Sequence, residues 1–232
     1  MPDAPTIAVI EDDDQVRQLL HVVLADAGMR PVGAKDGRTG LDLVRQKKPD
    51  AVLLDYGLQE GPSGLEVCRQ LRAHAETANL PIIVLTAQVS DVLEEQFFEA
   101  GADDYIRKPN FKANLLISRI HAVLRRTRQA GSDVIRTDHL TIHPGRREVL
   151  LDGEAVNLTP TEFDVLYKLA ANPERALTRR ELLDRGGAEG EGVDRTVDVH
   201  VLSIRRKLGR HAWLVSTVWG VGYRLGTGPS YG

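Results

Sequence analysis

Through residue 126 the chain repeats one pattern, a short apolar run followed by an amphipathic stretch. The runs are "TIAVI", "RPVGA", "AVLLD", "PIIVLTA" and "DYIRK"; the stretches that follow them are "QVRQLLHVVLADAG", "GRTGLDLVRQK", "GLEVCRQLRAH", "VLEEQFFEAG" and "NLLISRIHAVLRR". Near-continuous apolar strands such as "AVLLD" and "PIIVLTA" require burial on both faces. Five strand-helix repeats therefore predict an α/β domain, a five-stranded parallel, doubly wound sheet with helices on both sides, over residues 1–126.

The texture then changes. Residues 127–136, beginning "TRQAGSD", are polar and suit a linker. Residues 137–226 open with β-like pieces that turn at "HPGR" and "LDGE". "TPTE" at 159–162 and "TRRE" at 178–181 have capping-box spacing, and Asp194 is placed to cap "RTVDVHVLSIRRKL". "WLVSTVWGVGYRL" reads as a hairpin turning near Gly220, with residues 227–232 as a tail. Helices followed by a terminal hairpin predict an α+β winged helix-turn-helix. At 232 residues two such domains fit, each able to bury a core.

Charge excludes a globally basic nucleic-acid binder. Residues 1–130 carry 16 Lys and Arg against 19 Asp and Glu, and the remainder 14 against 14, so any DNA affinity must come from a local patch. Cys68, the single cysteine, sits in "LEVCRQL" as an inward-facing thiol. With no basic leader and no apolar run near 18 residues, the expected location is the cytoplasm and no membrane partner is expected.

Ligands of open parallel sheets collect at the carboxyl ends of the strands. The first strand ends in Glu11 and Asp12, the third in Asp55, the fourth in Thr86, and the fifth is followed by Lys108-Pro109. Three carboxylates at one edge repel one another, and Mg²⁺, a cation of hard oxygen sites, would offset that repulsion. Thr86 and Lys108 supply a hydroxyl and an ammonium for phosphate oxygens. A carboxylate facing a metal-bound phosphoryl group can attack phosphorus and become an acyl phosphate. Asp13 and Asp14 need no such role, since acids in a first helical turn oppose the helix dipole.

These residues, with "GADDYIRKP" at 101–109, resemble the receiver domain of response regulators. The resemblance implies that Asp55 is the phospho-acceptor and that Glu11, Asp12, Asp55 and the Gly57 backbone carbonyl hold the metal. It further implies that Thr86 and Tyr105 form the switch, that Lys108 contacts phosphate and that the Lys108-Pro109 bond is cis. A sensor histidine kinase is the implied phosphodonor. A competing reading comes from "DDDQV", which satisfies the D-x-D-x-[TV] pattern of haloacid-dehalogenase-type phosphatases and would make Asp12 a nucleophile.

The receiver pattern is altered in three places. Family members run four residues from the acceptor to a proline and eight to a glycine, whereas "DYGLQEGPSG" has Gln59 at the first place and Gly64 nine residues on. On the family's dimer face Asp103, Asp104 and Arg119 match, but Glu94 and His121 replace expected residues, and an exposed Phe97 or Phe98 would substitute an apolar contact. Asn110 stands where phenylalanine is usual. These changes leave open a regulator that depends little on phosphorylation.

On a helix turning about 100° per residue, Val197, Val201, Ile204 and Leu208 form one apolar stripe. The opposite face then carries Arg195, Thr196, Val199, Leu202, Ser203 and Arg206, flanked by His200 and Lys207 on one side and Arg205 on the other. Basic and hydroxyl groups suit phosphates, and Val199 and Leu202 suit thymine methyls. The segments "LTPTEFDVLYKLAANPERALTRRELLDR" and "STVWGVGYRL" resemble the winged-helix effector of the OmpR/PhoB subfamily. That implies a helix at 195–208 reading promoter half-sites in double-stranded DNA as a phosphorylation-dependent homodimer, and a wing beside the minor groove. It also matches "GGAEGEGVD" to a loop that touches RNA polymerase in some relatives. Leu202, Ser203 and Trp219 stand where many relatives carry arginine, so non-specific binding should be weaker with a shallower salt slope.

Overall fold

A computed structural model describes residues 4–87, 91–108, 112–128, 133–183 and 193–226. The chain divides into two compact units, residues 1–124 and 125–232.

In the first unit β1 (Thr6–Ile10), β2 (Arg30–Ala34), β3 (Ala51–Asp55), β4 (Ile82–Thr86) and β5 (Asp104–Arg107) form one parallel sheet in the order β2-β1-β3-β4-β5. Helices α1 (Asp14–Asp26), α2 (Gly37–Lys47), α3 (Gly64–Ala73), α4 (Asp91–Glu99) and α5 (Ala113–Arg128) alternate with the strands. Because side chains alternate along a strand, the central strands feed two cores. Ala8, Ile10, Val52, Leu54, Ile82 and Val84 pack with Leu41, Val67, Leu71 and Phe97; Ile7, Val9, Leu53, Ile83 and Leu85 pack with Leu20, Leu24, Leu116 and Ile120. Asp13 caps α1 by accepting from the Gln15 and Val16 amides, which accounts for its place in the acidic run. Cys68 is fully buried, its Sγ donating to the Ala100 carbonyl, and burial pushes the thiol up to about 12.

Helix α5 continues to Arg128, two residues into the expected linker, and β6 (Ile135–Arg136) occupies that linker's last two residues. Strands β6, β7 (Leu140–His143), β8 (Glu148–Leu151) and β9 (Glu154–Ala155) make an antiparallel sheet in that order, with a left-handed Asp152-Gly153 turn at "LDGE". There follow α6 (Pro160–Ala170), β10 (Leu177–Thr178), α7 (Arg179–Leu182), α8 (Val193–Leu208), a 3-10 segment (Gly209–Leu214), β11 (Val215–Val218) and β12 (Gly222–Leu225). The hairpin turns through a left-handed Gly220, and β12 lies between β10 and β11. Both expected capping boxes form, Thr159 with Glu162 and Thr178 with Glu181. Asp194 falls inside the first turn of α8, so it is not that helix's cap.

Several expectations lie outside the described residues: the Lys108-Pro109 bond, Asn110, most of the "GGAEGEGVD" segment, and the side chains of Glu94 and Arg195. Phe97 and Phe98 are both buried, at 3% and 2% exposure, which removes the anticipated apolar contact on the surface. Phe97 meets the ring of Tyr56 and Phe98 that of Tyr105, each edge to face. No described helix is long and apolar enough to cross a membrane.

Candidate functional site

The carboxyl edge of the parallel sheet brings together the acids that the sequence places at strand ends. Glu11, just past β1, is fully buried; Asp55 closes β3 and is buried; Asp12 is half-buried. Each offers a carboxylate oxygen within 4.8 Å of the other two. Lys108, just past β5, donates from Nζ to Glu11 Oε1 at 2.8 Å and pairs with Asp55 Oδ1 at 2.7 Å. One ammonium thus bonds two of the three acids. Burial pushes the Glu11 and Asp55 carboxyls up, and Lys108 only partly offsets it. Burial presses the other way on Lys108, but its bonds to both acids hold its ammonium above the usual range. Glu11 Oε2 is buried with no hydrogen-bond partner among the described residues. A buried cluster of hard oxygens, short of positive charge and with an unmet lone pair, fits a divalent cation.

Gly57 donates its amide to the Asp55 carboxyl, and a Cβ there would lie 3.3 Å from Asp55 Oδ2, so glycine keeps this side of Asp55 open. Thr86 is buried at the end of β4, one position beyond the residue paired with Asp55. Tyr105 is half-buried in β5, between Phe98 and the Arg107 guanidinium, which lies 5.8 Å from its ring. The inserted residue after Asp55 is absorbed by a loop that turns at a left-handed Gly61. Beyond it Ser63 and Glu66 form the capping box of α3, and Gly64 presses on Asp55: its Cβ would stand 2.4 Å from the Asp55 carbonyl oxygen.

Asp14 does not join this cluster. It is three-quarters exposed and paired with Arg17, so the second aspartate of the phosphatase-like pattern is engaged in a surface ion pair.

The expected dimer-face ions need correction. Asp103 is fully buried, accepting from the Ile82 amide at 2.9 Å and from Arg72 Nη2 at 2.7 Å; Arg72 also donates to the Leu80 and Gly101 carbonyls. Asp104 and Arg119 are buried together at 2.9 Å. These carboxylates serve the chain's own interior and present no charge on its surface. Arg72 went unnoticed in the sequence because its partner Asp103 lies 31 residues away. His121 is exposed.

In the second unit α8 is more deeply embedded than its apolar stripe suggests. Thr196, His200 and Ser203 are buried, at 0%, 1% and 8% exposure, which corrects the placement of Thr196 and Ser203 on the outer face and of His200 on its flank. They share one stripe with Lys207, and its end is anchored on α6: Ser203 Oγ donates to Glu162 Oε1 at 2.6 Å, and Lys207 Nζ to Oε2 at 2.5 Å. Burial, the largest single influence, pushes the Glu162 carboxyl up. Lys207, Ser203 and the Thr159 amide together outweigh it and hold the group below its ordinary range. Arg205 also turns inward, donating to the Val215 carbonyl at 2.9 Å and to Thr217 Oγ1 at 2.8 Å. The candidates left facing outward are Leu202 and Arg206, with Val199 half-buried and Trp219 91% exposed at the hairpin tip.

A second network, invisible in the sequence, ties helix to hairpin. Asp198 of α8 accepts from Arg179 Nε and from the Tyr223 hydroxyl, both at 2.7 Å, while the Arg179 and Arg205 guanidinium groups lie 5.2 and 5.6 Å from the Tyr223 ring centre.

An acidic pocket at the edge of a doubly wound sheet, joined in one chain to a helix braced against a hairpin, defines a class: a receiver coupled to a winged-helix reader. Residues 7–121 match the family described as response regulator receiver domain, and residues 153–225 the family described as transcriptional regulatory protein, C terminal. The chain is 39% identical over 227 residues to the uncharacterized transcriptional regulatory protein YclJ of Bacillus subtilis, covering 94% of this chain and 98% of that one. It is 36% identical to the phosphate regulon transcriptional regulatory protein PhoB of Escherichia coli, covering 97% and 99%. Among solved structures, response regulator DrrB, a Thermotoga maritima OmpR/PhoB homologue, matches with 29% identity and a TM-score of 0.50, covering 96% and 99%. The chain belongs to the OmpR/PhoB family of two-component response regulators, DNA-binding regulators of transcription.

Proposed function

We propose that a sensor histidine kinase phosphorylates Asp55 and that the acyl phosphate controls how the winged helix engages promoter DNA. The reading rests above all on the Glu11, Asp12 and Asp55 cluster bridged by Lys108. Glu11, Asp12, Asp55 and the Gly57 carbonyl would hold Mg²⁺. When bound, the ion supplies positive charge to the phosphoryl oxygens and offsets the repulsion of the acids. The Asp55 carboxylate attacks phosphorus, the phosphorus–nitrogen bond of the donor phosphohistidine breaks, and the imidazole leaves with a proton. Lys108 works against the burial that favours a neutral Asp55 and orients a phosphoryl oxygen; the Thr86 hydroxyl and the Tyr105 ring respond to the new group. The chain promotes its own modification and does not turn over as an enzyme.

On DNA, Arg206 and Arg195 would meet phosphates, Val199 and Leu202 the base edges, and Trp219 the neighbouring groove, with two copies on repeated half-sites. The segment at 186–194 is the candidate contact for RNA polymerase, and the cytoplasm the expected location.

Incubation with labelled acetyl phosphate and Mg²⁺ should place one phosphoryl group on each wild-type chain and none on Asp55→Asn. Label retained by the variant would reject the acceptor assignment. DNA selection that is identical with and without label would favour a regulator acting independently of phosphorylation.

A further inference from the structure

Away from both sites, His139, Asp152 and His211 converge on one point of the second unit, with one donor atom of each within 4.8 Å of the others. His139 precedes β7, Asp152 opens the β8–β9 turn opposite it, and His211 lies in the 3-10 segment that links α8 to the hairpin. His139 Nδ1 stands 2.8 Å from Asp152 Oδ1, and His211 Nε2 stands 2.9 Å from Oδ2. We propose that this trio is a site for a borderline divalent transition-metal ion of the zinc class.

Two imidazole nitrogens and a carboxylate are the ligands of zinc-type ions rather than of Mg²⁺ or Ca²⁺. Bonds of about 2.0–2.1 Å in a tetrahedron put donor atoms roughly 3.3 Å apart; each imidazole nitrogen already stands near that separation from one Asp152 oxygen, His139 from Oδ1 and His211 from Oδ2, so seating one ion requires the carboxylate to turn one oxygen toward both. Three protein ligands leave a position for water, and the partial exposure of His139 and Asp152, at 36% and 35% of their side chains, gives an ion a way in.

The existing contacts already ask for positive charge here. Arg210 Nη2 donates to Asp152 Oδ2 at 3.1 Å and its Nε to His211 Nε2 at 3.0 Å. Accepting from Arg210 commits the single lone pair of Nε2 to that N–H, and Asp152 Oδ2 then stands 2.9 Å from Nε2 with no proton between them. The alternative tautomer would set a His211 N–H against the Arg210 N–H. His211 Nδ1, the other candidate for the proton, is buried with no partner among the described residues. A metal ion would satisfy the Nε2 and Oδ2 lone pairs together, and Arg210, whose side chain is 82% exposed, is free to swing out and make room. The rings of His139 and His211 lie 4.5 Å apart, and Trp213 stands 5.6 Å from His139 as a built-in reporter.

The test titrates the full chain with zinc(II) by calorimetry, in millimolar Mg²⁺ to compete for the Glu11, Asp12 and Asp55 cluster. Cobalt(II) then serves as a visible-absorption probe and as a quencher of Trp213 in a Trp219→Phe background. One equivalent should bind the wild type. His139→Gln and Asp152→Asn should each weaken it by about tenfold or more, and Arg210→Ala should tighten it by removing the competing cation. His121→Gln should leave it unchanged, with metal-free melting curves verifying that each variant folds. Absence of zinc binding, equal binding by His139→Gln and Asp152→Asn, or weaker binding by Arg210→Ala would each overturn the site.

Discussion

Glu162 carries three duties with one carboxylate. It closes the α6 capping box on the Thr159 amide, accepts from Ser203 and pairs with Lys207, all while 1% exposed. Replacing it with alanine should cost about 3 kcal/mol in chemical unfolding, since the charged Lys207 bond, the Ser203 bond and a helix cap fail together. Ser203→Ala, which leaves Glu162 Oε1 unmet, should cost about 1.5–3 kcal/mol. Leu202→Ala, one residue away but exposed, should leave stability nearly unchanged and alter DNA affinity. The Glu162 carboxyl lies below its ordinary value when folded, so its contribution is complete above the unfolded value of 4.5 and fades as pH falls through the folded one. Unfolding measured from pH 6 downward should therefore show the gap between wild type and Glu162→Gln closing below about pH 4.5.

At the scale of elements, local chemistry was legible and distant pairing was not. The capping boxes Ser63–Glu66, Thr159–Glu162 and Thr178–Glu181 span three residues each, so sequence spacing alone reveals them. The strand-end acids were legible because a doubly wound sheet collects its carboxyl ends at one edge. The inner face of α8 was not: Thr196, His200 and Ser203 look like surface residues until the partner of Ser203, 41 positions earlier, is known. Asp103 was misread for the same reason, a charge whose counterion, Arg72, comes from the distant helix α3. Two element-level outcomes follow from the corrected faces. Arg206→Ala should weaken binding to all duplexes alike and lower the salt slope by about 1, measured by titration at several ionic strengths. Gly64→Ala should slow phosphorylation from acetyl phosphate without abolishing it, because the added Cβ must push the Asp55 backbone that α3 now abuts.

The whole molecule is two separately cored units. Leu53, Leu54, Leu20 and Phe97 belong to the first, and Leu166, Leu169, Val201 and Ile204 to the second. Residues 1–128 and 133–232 should each fold when expressed alone, with a cooperative transition in calorimetry. Mg²⁺ should raise only the transition of the first fragment, by about 2.7 kcal/mol at a hundredfold excess over its Kd, and Asp12→Asn should abolish the gain. Assembly belongs to this scale as well. If phosphorylation drives dimerisation, a phosphoryl mimic at Asp55 should raise the mass seen in sedimentation, whereas Asp103→Asn should lower stability first, its carboxylate being committed to Arg72.

The Asp198 tether fastens the hairpin to α8 at a set angle, through Tyr223 and Arg179. Such a frame works as a ruler. Slipping one extra base pair, about 3.4 Å of rise, between the bases met by the helix and those met by the hairpin should cost the protein one of its two footholds, and loosening Tyr223 to phenylalanine should make it more forgiving of that misfit.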